Sequence, residues 1–214
     1  MSTQTQNPDS NQQGNRLDPW FNAYAERAHN LRASEIRALF SVVSRPEVVS
    51  LAGGMPNLKD LPLDQLAESA KRLISTHGAQ AMQYGSGQGW EVLRERITEV
   101  MSYDGIVGAD PDDVVITTGS QQALDLMTEL FIDPGDVILC EAPSYVGALG
   151  VFRARQADIA HVPMDDKGII PAELERVIRE VRASGRTIKM LYTIPNYHNP
   201  MGVTLSLERR PQIT

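Results

Sequence analysis

Between Val114 and Ile194 the sequence repeats one pattern: a short apolar run, a turn, and an amphipathic stretch of helical period. The apolar runs are Val114 to Thr117, Val137 to Cys140, Ile159 to Val162 and Ile188 to Ile194. They are short and rich in Val and Ile, which pack well on a pleated surface. Helices are predicted between them, from Gly119 to about Ile132, from Pro143 to about Arg155 and from Pro171 to Arg182. Pro171 suits the first helical position, where no N–H is needed. Connections of this length carry a chain from one strand to a parallel neighbour. The reading is βαβαβαβ, an α/β fold built on a mainly parallel sheet.

Ligands of such sheets collect beyond the carboxyl ends of the strands, and three stretches leave at that edge. Thr118-Gly119-Ser120-Gln121-Gln122 joins the first run to a helix. The first amides of a helix lack internal partners and carry partial positive charge. Ser120 and Gln121 there either make a phosphate cradle or merely cap the helix. No G-x-x-x-x-G-K-[ST] pattern is present, so this is not a nucleoside triphosphate loop. Tyr145 follows the second run, as a ring for stacking or as core. The fourth run empties into Pro195-Asn196-Tyr197-His198-Asn199-Pro200-Met201-Gly202. Prolines, asparagines and a glycine make a rigid turn that holds the Asn196 amide at the strand end.

Upstream, Met1 to Arg16 is polar and cannot offset the entropy of ordering, so a disordered tail is expected. Residues 17–60 read as an N-terminal arm or small-domain segment. Trp20, Phe21 and Tyr24 recur at helical spacing, and a second helix follows Ser34. That helix carries Arg37 in its first turn, where arginine opposes the dipole. Arg37 is therefore an anion or partner contact, or else an ordinary solvated arginine. Gly53-Gly54 permits close backbone approach. Residues 61–214 read as one larger unit, opening with helices over Leu63–Ser75 and Trp90–Met101. Between these, Tyr84-Gly85-Ser86-Gly87-Gln88-Gly89 presents Tyr84. Its G-x-G-x-G spacing and the lack of a preceding strand exclude a dinucleotide fingerprint. Ser206 reads as the N-cap of a further helix that has barely begun at Thr214, so a truncated chain is expected.

The net charge of −7 argues against nucleic acid and anionic membranes as partners. No apolar run approaches the roughly 20 residues that span a bilayer. The single cysteine, Cys140, has no internal disulfide partner and reads as a buried structural thiol. A cytoplasmic protein is expected, and no metal site is predicted.

Thr118 to Leu124, Glu141 to Tyr145 and Tyr192 to Gly202 resemble the pyridoxal-phosphate-dependent class I/II aminotransferases of fold type I. Ser50 to Asn57 and Gln83 to Gly85 are similar to the aminoadipate/kynurenine branch of that family, which also includes domains of bacterial regulators. The resemblance implies a three-layer, mainly parallel sheet, with 61–214 as the N-terminal part of an incomplete large domain. It implies pyridoxal 5'-phosphate as cofactor. Ser120 and Gln121 would bind its phosphate, Tyr145 would stack on its ring, and Asn196 would bond its phenolic oxygen near the substrate carboxylate. Arg37, Gly54, Tyr84 and Asn196 would line the substrate site, with Tyr84 reaching across a homodimer interface. The reaction implied is transamination between an amino acid and a 2-oxoacid, with 2-oxoglutarate the usual acceptor. A cofactor-sensing regulator domain and a lyase or decarboxylase of the same fold are the alternatives. Met201 stands where the family usually has threonine. The family's Schiff-base lysine motif has no counterpart, so no catalytic residue is assigned and the 214-residue polypeptide alone is expected to be inactive.

Overall fold

The computed structural model describes residues 20–29, 47–49 and 58–214. It divides into two compact units, Met1–Ala38 with Met127–Thr214, and Leu39–Leu126. The predicted tail at 1–16 lies outside the described residues, as do Ser34, Arg37, Gly53 and Gly54. In chain order the α-helices are α1 (Glu26–His29), α2 (Leu63–Ala81), α3 (Glu91–Tyr103), α4 (Gly119–Phe131), α5 (Val146–Ala154), α6 (Pro171–Ala183) and α7 (Arg210–Ile213). The strands are β1 (Val137–Ala142), β2 (Asp158–Asp165), β3 (Gly168–Ile169) and β4 (Ile188–Tyr192).

The first unit is built on a four-stranded sheet of order β3-β2-β1-β4. β1 runs parallel to both β2 and β4, and the two-residue β3 is antiparallel to β2. Alternation along β1 sends side chains to opposite faces. Val137 and Leu139 join Val162, Leu174, Val177 and Val181 in a buried cluster on the α6 side. Ile138 and Cys140 point the other way. Cys140 pairs in register with Tyr192, whose ring meets Phe152 of α5 edge-on at 5.4 Å. Residues Val137 to Glu141 are all buried, as the uninterrupted apolar run requires of a strand covered on both faces.

Three of the four predicted strands are present, with β4 ending at Tyr192 rather than Ile194. Val114 to Thr117 is not a strand. Val114 is extended (φ −100°, ψ 129°), but the run pairs with a turn rather than a strand, Ile116 N–H donating to the Gln88 carbonyl at 2.8 Å. A ladder, not β propensity alone, makes a strand. Ser206 is not an N-cap: α7 begins at Arg210, and the Ser206 hydroxyl is buried without a partner. Pro171 does sit at the start of α6. No helix among the described residues is long and apolar enough to cross a membrane.

Candidate active-site elements

The phosphate-cradle residues belong to the Leu39–Leu126 unit. Gly119 opens α4 at φ +74°, a conformation that favours glycine, and a Cβ there would meet nothing within 4 Å. Gln122 reaches back so that its Oε1 accepts the Thr118 N–H at 2.5 Å. That bond satisfies one orphan donor of the helix start. Ser120 therefore lies inside the first turn rather than at the cap. It and Gln121 are exposed, and neither side chain is committed to a hydrogen bond.

The chain leading into this turn is braced from α3. Arg94 is buried, and its Nη1 donates to the Pro111 carbonyl at 2.7 Å and to Asp112 Oδ1 at 2.9 Å. Gln88 Nε2 donates to the Asp112 carbonyl at 2.9 Å. Gly89, at φ +99°, lies so close to Ile116 that any Cβ would collide with that side chain. Tyr84 is fully exposed on the wall of a cavity of about 560 Å³, with His77, Trp90 and Arg94 also in the lining.

Tyr145 and Asn196 belong to the other unit and leave the same edge of its sheet, from the adjacent strands β1 and β4. Tyr145 precedes α5 in extended conformation, and its side chain makes no cap bond. Its ring lies over Gly147, where a Cβ would strike it. Glycine at 147 thus seats the ring. Burial, followed by the nearby Tyr145, raises the Tyr192 phenol above its ordinary pKa. Asn196 is exposed, and its Oδ1 accepts from Arg210 Nη2 at 2.9 Å.

The turn is closed around His198. His198 N–H donates to the Val203 carbonyl at 2.8 Å, and Leu205 N–H donates to the Pro195 carbonyl at 2.8 Å. Tyr197 takes a positive φ of 49°, and the Asn199–Pro200 peptide is cis. The Ser144 and Thr193 hydroxyls, at the exits of β1 and β4, are buried and unpartnered. Cys140 is buried, and burial pushes its thiol up to about 12, so it stays protonated and is no nucleophile. No group of three or more His, Cys, Asp or Glu suited to a metal ion occurs among the described residues.

Sequence reasoning passed over Asn199, Arg210, Gly147 and the pairing of Glu141 with His198. Glu141 carried a signal: a carboxylate ending an otherwise apolar strand demands a partner. Asn199 carried one too, since its neighbour Asn196 was not the turn's only exposed amide. Arg210 and Gly147 carried none, because their roles exist only in the folded geometry.

The sequence profile of the Aminotransferase class I and II family matches residues 46–213. The aromatic-amino-acid aminotransferase 1 of Thermococcus litoralis is 39% identical over 190 residues, covering 89% of this chain and 46% of its own length. The 2-aminoadipate transaminase of Thermus thermophilus is 37% identical over 194 residues, covering 91% of this chain and 46% of its own. Among solved structures, the kynurenine aminotransferase of Pyrococcus horikoshii, determined with PMP, superposes with a TM-score of 0.83 at 35% identity. It covers 92% of this chain and 48% of its own. The chain thus spans about half the length of the relatives it matches. With three sequence motifs, the sheet that carries two of them and this match in agreement, the chain belongs to the class I and II aminotransferase family.

Proposed function

We propose that the protein acts in pyridoxal-phosphate-dependent transamination of an amino acid with a 2-oxoacid. The observation that carries this is the first turn of α4, which offers an open glycine, an uncommitted hydroxyl and an uncommitted amide. The residues present fit the cofactor chemically. A helix N-terminus suits its phosphate. Tyr145 offers a flat face, and the β4 exit offers side-chain amides for its phenolic oxygen. When bound, pyridoxal phosphate supplies an electron sink for the carbanion left by loss of the substrate's α-proton. In this reading Ser120 and Gln121 hold the phosphate, Tyr145 stacks on the ring and Asn196 donates to the phenolic oxygen. Tyr84, Arg37 and Gly54 contact substrate, Tyr84 across a homodimer. Residues 61–214 belong to the large domain, and 17–60 to the arm. The names of the relatives support an aromatic or distal-carboxylate amino acid, which suits Arg37, with 2-oxoglutarate as acceptor. A cytoplasmic setting accords with the lone, buried Cys140.

A second reading of the amide is favoured by the Arg210 bond. Asn196 has one end committed, whereas Asn199 is exposed with no hydrogen bond and sits in the same turn. Asn199 is then the ring contact and Asn196 part of its support.

Titration of the purified chain with pyridoxal phosphate, followed by visible circular dichroism, tests both. Loss of one charge-assisted bond in Ser120→Ala is expected to weaken binding about tenfold. Of Asn196→Ala and Asn199→Ala, the one that shifts the bound spectrum identifies the ring contact. Equal affinity in parent, Ser120→Ala and Tyr145→Ala would sink the cofactor site.

A further inference from the structure

Glu141 is buried in β1, with no charged residue beside it in the strand. Its Oε2 accepts the Ile194 N–H at 2.8 Å, and the same oxygen lies 3.2 Å from His198 Nε2. His198 is likewise buried. Its other ring nitrogen, Nδ1, accepts from the Met201 N–H at 3.4 Å, and its backbone carbonyl accepts the Gly202 N–H at 2.5 Å. One carboxylate at the end of β1 therefore touches both the start and the middle of the segment that leaves β4. Four residues after Glu141 the chain reaches Tyr145; two residues before His198 stands Asn196.

A carboxylate buried this deeply is costly without partners. The apolar run that makes β1 a central strand has no packing use for glutamate. Its contacts all point to the β4 exit. The imidazole is equally out of place as packing: its Nε2 is buried and makes no hydrogen bond, and Glu141 Oε2 lies 3.2 Å from it. With Nδ1 accepting from Met201, the proton of a neutral ring sits on Nε2, the nitrogen 3.2 Å from Glu141 Oε2.

We propose that Glu141 and His198 form a buried positioning pair, His198 in its neutral Nε2–H form, that fastens the Pro195–Gly202 turn to the end of β1. The turn's asparagines and Tyr145 are thereby held as one body. Neither residue touches cofactor or substrate in this assignment. The pair itself stands on geometry alone; its effect on the cofactor rests on the function proposed above.

Three measurements test it. In the unsubstituted protein, ¹⁵N NMR of His198 is expected to show Nδ1 as the bare nitrogen; a bare Nε2 overturns the proposal. Next, amide exchange is compared among variants. Glu141→Gln removes the charge, and His198→Asn keeps an acceptor near the Nδ1 position but loses the reach to Glu141. Both are expected to speed exchange at Ile194, Met201 and Gly202 about tenfold, leaving Val177 and Val181 of α6 unchanged. His198→Gln, which places an amide nitrogen near the Nε2 position, is expected to restore most of the protection. Unchanged exchange, uniform loss across the unit, or no recovery in His198→Gln overturns the positioning role. Finally, pyridoxal phosphate affinity should fall severalfold in the loosened variants and recover in His198→Gln. If exchange behaves as expected while no variant, nor the parent, binds pyridoxal phosphate, the cofactor reading fails and the pair survives. If the parent binds and the loosened variants bind equally well, the pair's influence on the site is refuted.

Discussion

The sheet of the first unit and the helices of the second are built on opposite principles. β1 is covered on both faces, and its neighbours contribute a continuous buried cluster from Val137 to Leu205. In α2 and α3 the one buried residue is Arg94, while Leu66, Leu73, Val92 and Val100 are exposed. One unit is held by apolar area removed from water. The described part of the other is stitched by directional polar bonds from Arg94 and Gln88 and by the close fit of Gly89 to Ile116. Packing of the first kind spreads its energy over many small contacts; stitching concentrates it in a few groups that cannot be replaced.

The largest test of this contrast is a pair of deletions. Phe152 is 1% exposed and meets Tyr192 edge-on. Phe152→Ala is expected to cost about 3–5 kcal/mol, the transfer loss plus a cavity. Leu66 on α2 is 56% exposed, and Leu66→Ala should stay within about 0.5 kcal/mol. Urea unfolding midpoints, with slopes checked for constancy, give both numbers. Comparable losses at the two sites would mean that α2 is packed as firmly as α5, and would erase the distinction.

The same contrast explains what was legible in the sequence. Periodicity reports burial, so the sheet unit was readable: β1, β2, β4, α5 and α6 all appear near their predicted places. Val114 to Thr117 misled because β-branched residues report a preference for extended backbone, which Val114 adopts, but say nothing about whether a ladder partner lies alongside. Ser206 misled because a hydroxyl before a helix is only a cap if it points at the helix amides; here it is buried and α7 starts later. At the candidate site, Tyr145 and the Asn196 turn sit at one sheet edge, as strand ends and turn chemistry implied, whereas Ser120 follows a run that forms no strand and is located only by its helix start. The supporting residues were not. Arg94 looks in sequence like a solvated helix arginine, and nothing local says that its guanidinium reaches a carbonyl 17 residues away. Gly147 reads as a poor helix residue until the Tyr145 ring is seen above it.

Arg94 is the place to break the stitched unit. Arg94→Met keeps the aliphatic stem and removes the fork, leaving the Pro111 carbonyl without this donor. The expected cost is about 1.5–3 kcal/mol, the range for hydrogen bonds made by a charged group. The loss should be local: faster amide exchange at Asp113 and Ile116, with β1 and α6 untouched. Arg94→Lys, a point charge in place of a planar fork, should recover only part of it. A weaker grip of pyridoxal phosphate in Arg94→Met would follow if the braced chain orients Ser120. A cost spread evenly over both units would show that Arg94 serves general packing instead.

Acid titration gives the smallest effect and separates the units by a different route. Asp165, at the end of β2, is held down to about 2 by the side-chain bonds from Arg209, then by the Lys167 N–H. Arg209 grips it twice, Nη1 to Oδ1 at 2.6 Å and Nη2 to Oδ2 at 2.8 Å, and also bonds the Gly168 and Ile169 carbonyls. This clamp joins the β2–β3 turn to the segment after Leu205, 44 residues further on. Glu99, on α3, is also lowered, chiefly by its side-chain bond to Arg96, but that pair is only three residues apart. A carboxyl depressed in the folded state contributes stability above its ordinary range and loses it as the folded group takes up a proton. For Asp165 the window runs from the ordinary 3.8 down to about 2. As pH falls through it, exchange at Ser206, whose N–H bonds the Lys167 carbonyl, should rise, and Asp165→Asn should abolish that pH dependence. Added salt should shrink the effect in part, because the pair is only half-buried. Protonating Glu99 should disturb α3 alone, since an i,i+3 pair fastens a helix only to itself. An acid response at Ser206 that survives in Asp165→Asn would place the titrating group elsewhere and remove the long-range clamp from the account of the sheet unit.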